Sequence, residues 1–429
     1  MNTNNTISKF LFVSIFICIM LTAGYQAGAQ NKIDFKGRIL DSETNKPLSF
    51  VSIGIPKSGT GVISNEFGEF NYHVPENFVY DKIQISLLGY KKVTFNVSEF
   101  RPEVLITIKL EPEIQVLNEI EVKAKGTSAV DIVRKAIRNI RKNYPRGKTL
   151  LYGYYRDYIS PIDANSYKNL TEAALIIEDK GFNTNDFDRT RIKLEQLRYN
   201  PGFEIDSSFN QAYGGKNKYI PNTSLTAANE LTILCAHNPI RNHDHRTFAF
   251  VHIFDEDFVS NHSFEYESIT QIDSAKVFCL NFEKYFKDRF STYEYRVDGK
   301  IYIHSQSFAI LKFTYTITCN TPSYAGKFFD LKLEYKNMND KYYLNYLSLM
   351  NYFVFRNESV SGISNTAASV IPYFQYRELF INKVVNESFA PMKPHEAINK
   401  STSLLTNKIP VIEGFWQNYN YPGNLKLLE

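Results

Sequence analysis

Phe35-Lys36-Gly37-Arg38-Ile39-Leu40-Asp41 reads as a strand running into a polar turn, and Pro47-Leu48-Ser49-Phe50-Val51-Ser52-Ile53 reads as a turn proline feeding a second strand. The pattern continues through Gly59-Thr60-Gly61-Val62-Ile63-Ser64-Asn65 and Gly68-Glu69-Phe70, and closes on Ile83-Gln84-Ile85-Ser86-Leu87-Leu88-Gly89-Tyr90. Ile83, Ile85 and Leu87 alternate with Gln84 and Ser86; Val93, Phe95 and Val97 repeat the alternation, as do Val104, Ile106, Ile108 and Leu110. Strict period-two alternation means strands with one buried and one solvated face. Short strands broken by Gly, Pro and Asn turns predict a sandwich, with Gly37, Gly61, Gly68 and Gly89 as backbone devices for turns or close packing.

This stretch resembles the carboxypeptidase-like regulatory domain, a small prealbumin-like β-sandwich common in bacterial envelope proteins. The resemblance implies a fold and an ancestry, not peptidase activity. It places the sandwich within residues 30–112. His73-Val74-Pro75-Glu76 copies the His-x-x-Glu spacing of metallocarboxypeptidases, but a proline interrupts it and no third ligand is identifiable, so it is read as a chance match.

Upstream, Lys9 and the apolar run from Phe10 to Leu21 have the form of a secretory signal, with Ala27-Gly28-Ala29 as its cleavage pattern. Residues 1–29 are therefore read as a signal peptide, with the mature chain starting at Gln30. Cys18 lies inside the apolar run rather than after a lipobox, and no later stretch is apolar enough for a transmembrane helix. The expected location is exported, in the periplasm or associated with the outer membrane.

Composition narrows the function classes. A formal net charge of +4 over 429 residues gives no support for nucleic-acid binding. The chain holds 29 Tyr and 33 Phe but one Trp, which suits a β-rich protein or a sugar-stacking surface. Cys235, Cys279 and Cys319 follow the signal; three cysteines allow one disulfide and exclude a disulfide-stapled scaffold.

Downstream, residues 113–127 are read as a linker strand, on Leu117-Asn118-Glu119-Ile120-Glu121-Val122-Lys123-Ala124, which is similar to the segment before the plug of TonB-dependent receptors. Joining the edge of the next sheet is its expected role. Ser128 to Asn143 is the one confident helix: Ser128-Ala129-Val130-Asp131 has capping-box spacing, Val130, Val133, Ile137 and Ile140 form an apolar stripe, and Pro145 and Gly147 stop it. Its basic face is a solvated face or a contact for anionic lipid.

From Leu151 onward strand patterns dominate: 151–159, 172–178, 191–199, 247–254, 263–269, 276–282, 293–304, 309–318, 328–336, 342–355 and 373–385. Asp298-Gly299 and Asn339-Asp340 are hairpin signals. The fold class expected is mainly β: the N-terminal prealbumin-like sandwich, one linking helix, then a larger antiparallel β-meander with few helices over residues 128–408. That layout resembles the half-barrel of lipoprotein-carrier proteins. Residues 200–246 read as a long polar connection with a short helix near 225–235, and 409–429 as a tail of short helix and loop.

Two constellations are candidates for chemistry. Cys235-Ala236-His237 and His243-Asp244-His245, with His252, His262 and Asp255 beyond, are dense enough for a metal site, for which His237, His243, His245 and His252 are the candidate ligands and zinc the ion they would suit. On a strand, His243 and His245 would share a face; in a polar loop they are ordinary surface residues. No motif calls for a cofactor. Tyr152, Tyr154 and Arg156 open the second domain and are the candidate ligand-binding residues; in the alternative, Tyr154 and Arg156 pair across strands while Tyr155 packs inward. Asp255-Glu256-Asp257 reads as a solvated turn.

No nucleophile elbow or phosphate loop is present. The first reading is a non-enzymatic envelope binding or scaffold protein, its sandwich a docking module and its larger domain binding an envelope protein, glycan or lipid in a concave face. The alternatives are a metal-dependent hydrolase built on the His237–His262 region, and a small outer-membrane barrel. Charges on both faces of Arg191-Ile192-Lys193-Leu194-Glu195-Gln196-Leu197-Arg198 count against the barrel.

Overall fold

The structure is a computed structural model that describes residues 32–100, 104–115, 128–162, 166–183, 190–200, 204, 229–245, 252–272, 275–287, 294–321, 324–356, 370–386 and 388–422. Residues 1–29, read as a signal peptide, the linker residues 117–124 and residues 247–251 of one expected strand lie outside the described residues.

Seven strands form the sandwich: β1 (Lys32–Asp41), β2 (Ser52–Ile55), β3 (Thr60–Ile63), β4 (Glu69–Pro75), β5 (Lys82–Ser86), β6 (Val93–Asn96) and β7 (Ile106–Leu110). One sheet runs β4-β1-β7 and the other β6-β5-β2-β3. Phe35, Ile39, Ile53, Tyr72, Ile83 and Ile85 fill the space between them, each fully buried side chain contributing roughly 1.5–3 kcal/mol. Gln84 and Ser86 stay partly exposed on the other face of β5, as the alternation requires. Gly68 has no substitute: its φ is +74°, and a Cβ there would lie 2.3 Å from the Ile39 carbonyl oxygen.

The second unit comprises β8 (Ile114–Gln115), α1 (Ala129–Arg138), α2 (Ile140–Asn143), β9 (Thr149–Pro161), β10 (Lys168–Asp179), β11 (Arg191–Tyr199), α3 (Glu230–Ala236), α4 (Glu256–Asn261), β12 (Ser263–Ile272), β13 (Ala275–Lys287), β14 (Glu294–His304), β15 (Ile310–Thr321), β16 (Tyr324–Met338), β17 (Lys341–Arg356) and β18 (Val370–Val385). Its strands form one curled antiparallel half-barrel sheet of 11, in the order β11-β10-β9-β18-β17-β16-β15-β14-β13-β12-β8. Register shifts interrupt most of the ladders, for example between Tyr302 and Ile303, Glu334 and Tyr335, and Ile381 and Lys383. Each such bulge adds local bend and twist, which is how so long a meander curls.

The inner face of the sheet is filled by the protein itself. Tyr155, Phe282, Phe313, Tyr315 and Leu333 pack in one cluster with Ile132 and Val133 of α1, Leu234 of α3 and Phe258 of α4. The outer face of β14–β16 carries Arg296, Asp298, Lys300, Lys312, Thr314 and Glu334, the pattern of a water-facing sheet rather than an apolar lipid-facing band. No described helix is long and apolar enough to cross a membrane.

Several expectations need correcting. The helix of 128–143 breaks at Asn139 (φ −91°, ψ 1°), giving α1 and α2. Its cap stands as read: Ser128 Oγ accepts from the Asp131 N–H at 3.1 Å and donates to the Asp131 carboxylate at 2.7 Å. The buried face is Ala129, Ile132, Val133, Ala136 and Ile140, with Val130 and Ile137 at its margin. Asn339-Asp340 is a hairpin turn with both φ positive, but Asp298-Gly299 lies within β14, where the Phe282 ring lies over Gly299, within 2.0 Å of where a Cβ would be. Residues 252–255 form no strand; Asp255 caps α4, its carboxylate accepting from the Asp257 N–H at 2.8 Å.

Candidate functional site

The hairpins β12–β13, β14–β15 and β16–β17 all turn at one end of the curled sheet, because antiparallel neighbours alternate direction. The sandwich lies across that end. It joins β18 through the Thr60–Lys383 pairing of β3, and the chain leaving it as β8 pairs with Ile269 and Thr270 of β12. Between these attachments lies a cleft of about 860 Å³. The sandwich wall includes Phe50, Ser52, Gln84, Ser86 and Leu88; the sheet wall includes His304, Lys312, Lys336, Met338 and Asn345. Sites for small molecules commonly span about 300–1,000 Å³ and lie between domains.

The lining has a positive balance: Lys142, Lys312, Lys336 and Lys341 stand against Glu334 and Asp340. Lys312 pairs with Glu334 at 2.6 Å, and Lys341 donates to the Lys142 carbonyl at 2.6 Å. Lys336 meets no anion or hydrogen-bond acceptor among the described residues, and burial lowers its pKa to about 8. Asn345 is the extra residue of the bulge opposite Glu334 and Tyr335; it is 4% exposed, and its Oδ1 has no hydrogen-bond partner among the described residues.

The seat of the sandwich is a polar ladder. Arg198, Glu172, Arg156 and Glu378 face one another in turn across β11, β10, β9 and β18. Arg198 binds Glu172 at 2.8 Å and Arg156 pairs with Glu378, whose carboxylate also takes the Tyr346 hydroxyl. Phe50 and Ile63 of the sandwich pack beside it on Tyr346 and Phe380. The tail completes the seat: Asn420 accepts from the His73 N–H at 2.8 Å, Tyr419 donates to the Gly153 carbonyl at 2.8 Å, and Trp416 lies under Arg198 at 4.4 Å.

The predicted ligand-binding residues belong to this seat and not to the cleft. Tyr154 is buried, donates to Glu172 at 2.6 Å and stacks on Tyr421. Arg156 is buried against Glu378, and Tyr152 lies under Lys383 at 5.3 Å. The space beside Tyr154 and Arg156 is about 10 Å³, roughly what one water needs and too small for a larger ligand. The cross-strand alternative for Tyr154 and Arg156, with Tyr155 packed inward, is the arrangement found.

Of these histidines only His252 and His262 meet, with ring centroids 6.0 Å apart; His237, His243 and His245 do not join them in a ligand set. His237 is buried and its Nδ1 lies 2.6 Å from the Ile233 carbonyl. His243 and His245 sit in a turn, not a strand, and His245 pairs with Asp244 at 2.9 Å. His252, at φ +67°, contacts Asp257 and Lys284. His262 is held between the Phe258 carbonyl and the Tyr315 hydroxyl. Among the described residues no three His, Cys, Asp or Glu side chains converge to hold a metal ion. Cys235, Cys279 and Cys319 are free and buried. His73 is bound to Asp34 at 2.6 Å.

Sequence reasoning missed Lys336, Asn345, Glu172 and Glu378. Lys336 follows the buried Tyr335 as any solvent-facing strand lysine would, so nothing local marks it.

No curated protein matches this chain. Among solved structures it aligns with one described as "Lipid-protein interactions in lipovitellin", at 9% identity and a TM-score of 0.22, over 58% of this chain. The alignment spans 26% of the length of that chain. Residues 35–122 match the model of the CarboxypepD_reg-like domain, and the chain carries that domain at its N-terminal end.

Proposed function

We propose that this is a non-enzymatic binding protein of the cell envelope, in which the sandwich is a fixed docking module that roofs the ligand cleft at the end of the half-barrel. The observation that carries this reading is the 860 Å³ cleft built jointly by the two units. The inner face of the sheet, where a concave binding site was expected, is occupied by α1, α3, α4 and their aromatic partners. The seat of Arg156, Glu378 and the tail holds the roof in place. A signal-like N-terminus supports export, and the CarboxypepD_reg-like domain supports an envelope setting.

Native mass spectrometry of the chain exported by a bacterial host and purified without added ligand tests the reading. The expected result is a bound mass on the wild-type protein that is absent from Ser86→Trp, which fills the cleft from the sandwich wall. A bare wild-type protein, or a mass that survives the substitution, would contradict it.

A further inference from the structure

We propose that the cleft binds an acidic saccharide, with Lys336 as counter-ion to its carboxylate or phosphate and Asn345 accepting a hydrogen bond from one of its hydroxyl groups. This rests on the cleft being the binding site, and adds the chemistry of what enters it.

The charge comes first. Of the other cleft lysines, Lys312 is paired with Glu334, Lys341 donates to a backbone carbonyl and Lys142 is exposed to water, whereas Lys336 is left without an anion among the described residues. A half-buried ammonium group without a partner carries a desolvation cost, and the direction of its pKa shift agrees with that cost. A bound anion removes it.

The second observation is independent. Asn345 exists as an unpaired residue because the β16–β17 ladder slips there, and bulges recur where a side chain is re-aimed at a functional site. Its buried Oδ1 is an acceptor that lacks a donor. A fully deprotonated anion such as sulfate has only acceptors to offer, so the ligand must also carry O–H or N–H groups.

The walls decide between a sugar and an acyl chain. Ser52, Gln84, Ser86 and Asn337 line the cleft among Phe50 and Tyr342. An acyl chain would strand those polar groups, which costs free energy for each one left unpaired. Sugar hydroxyls would satisfy them while the apolar sugar faces rest on the rings. A uronate and a sugar phosphate share the required chemistry.

Calorimetric titration of the full chain with glucuronate, glucose 6-phosphate, glucose and octanoate tests this. One of the two acids should bind at least about tenfold more tightly than glucose, and which one does so identifies the anion. Lys336→Met should abolish that preference while Lys336→Arg keeps most of it. Lys336→Met should also raise Tm by a few degrees, because the charge removed has no partner in the fold. An undiminished acid preference in a folded Lys336→Met protein, or binding of octanoate alone, would overturn the proposal. If neither acid binds but Ser86→Trp still strips a co-purified mass, the saccharide assignment fails and the cleft remains the binding site. If Ser86→Trp strips nothing either, both fail.

Discussion

Arg156→Ala is expected to destabilise the protein by about 3–5 kcal/mol, the range for breaking a buried ion pair from one side. Arg156 is 5% exposed on β9, directly opposite Glu378 on β18 and Glu172 on β10. Glu66, at the tip of the hairpin that the sandwich lowers onto this spot, has its pKa raised by partial burial, and Arg156 is the charge that opposes the rise. Removing the guanidinium leaves the buried Glu378 without its cation, and the exposed Glu66 adds a like charge beside it. The cost therefore comes from the uncompensated carboxylate rather than from the lost attraction. The same logic predicts that Arg156→Met with Glu378→Leu recovers much of the loss, since a packed apolar pair often equals a buried ion pair. Urea unfolding of the three proteins checks this. A loss under 1 kcal/mol for Arg156→Ala would mean that the seat is solvated and the sandwich loosely held.

Acid should unfold the protein in a window set by histidine. His237 and His262 each close a short helix, α3 and α4, with Nδ1 at hydrogen-bonding distance from the carbonyl four residues back, 2.6 and 2.8 Å away. A helix C-terminus favours a charged imidazole by up to about 2 kcal/mol. Burial wins here, and lowers both pKa values to about 4. The unfolded chain takes up these protons near pH 6.5 and the folded chain only near pH 4. Stability is thus full above pH 6.5 and drains away as pH falls toward 4, by roughly 3 kcal/mol for each histidine. His243 and His304 are displaced in the same direction by burial and add to the slope. Thermal unfolding at pH 7 and pH 4.5 should differ strongly in wild type and much less in His237→Gln/His262→Gln. Equal melting at both pH values would show that the rings are hydrated and reopen the metal-ligand reading of this region.

The sandwich was legible because its signals are local. Alternation of Ile83 and Ile85 with polar neighbours fixes a strand face, and Gly68 marks a turn only glycine can make. The meander was legible for the same reason, strand by strand. What escaped depends on partners far away in sequence. Arg156 and Glu378 are 222 residues apart, so neither announces the other. A bulge such as the one that frees Asn345 is a property of two paired strands and leaves no mark on either alone. Asp298-Gly299 has hairpin chemistry, yet the glycine serves the Phe282 ring across the ladder. Asp255-Glu256-Asp257 looked like a solvated turn because a cap and an acidic loop share the same residues. Lys336 became a site residue only when the sandwich covered it.

The most direct measurement is a crystal structure of the protein isolated from its own cell. The account predicts the sandwich seated on Arg156 and Glu378, with ligand density in the cleft between Gln84, Lys336 and Asn345. A sandwich detached from the half-barrel, or ligand density against the His237–His262 region instead, would contradict it.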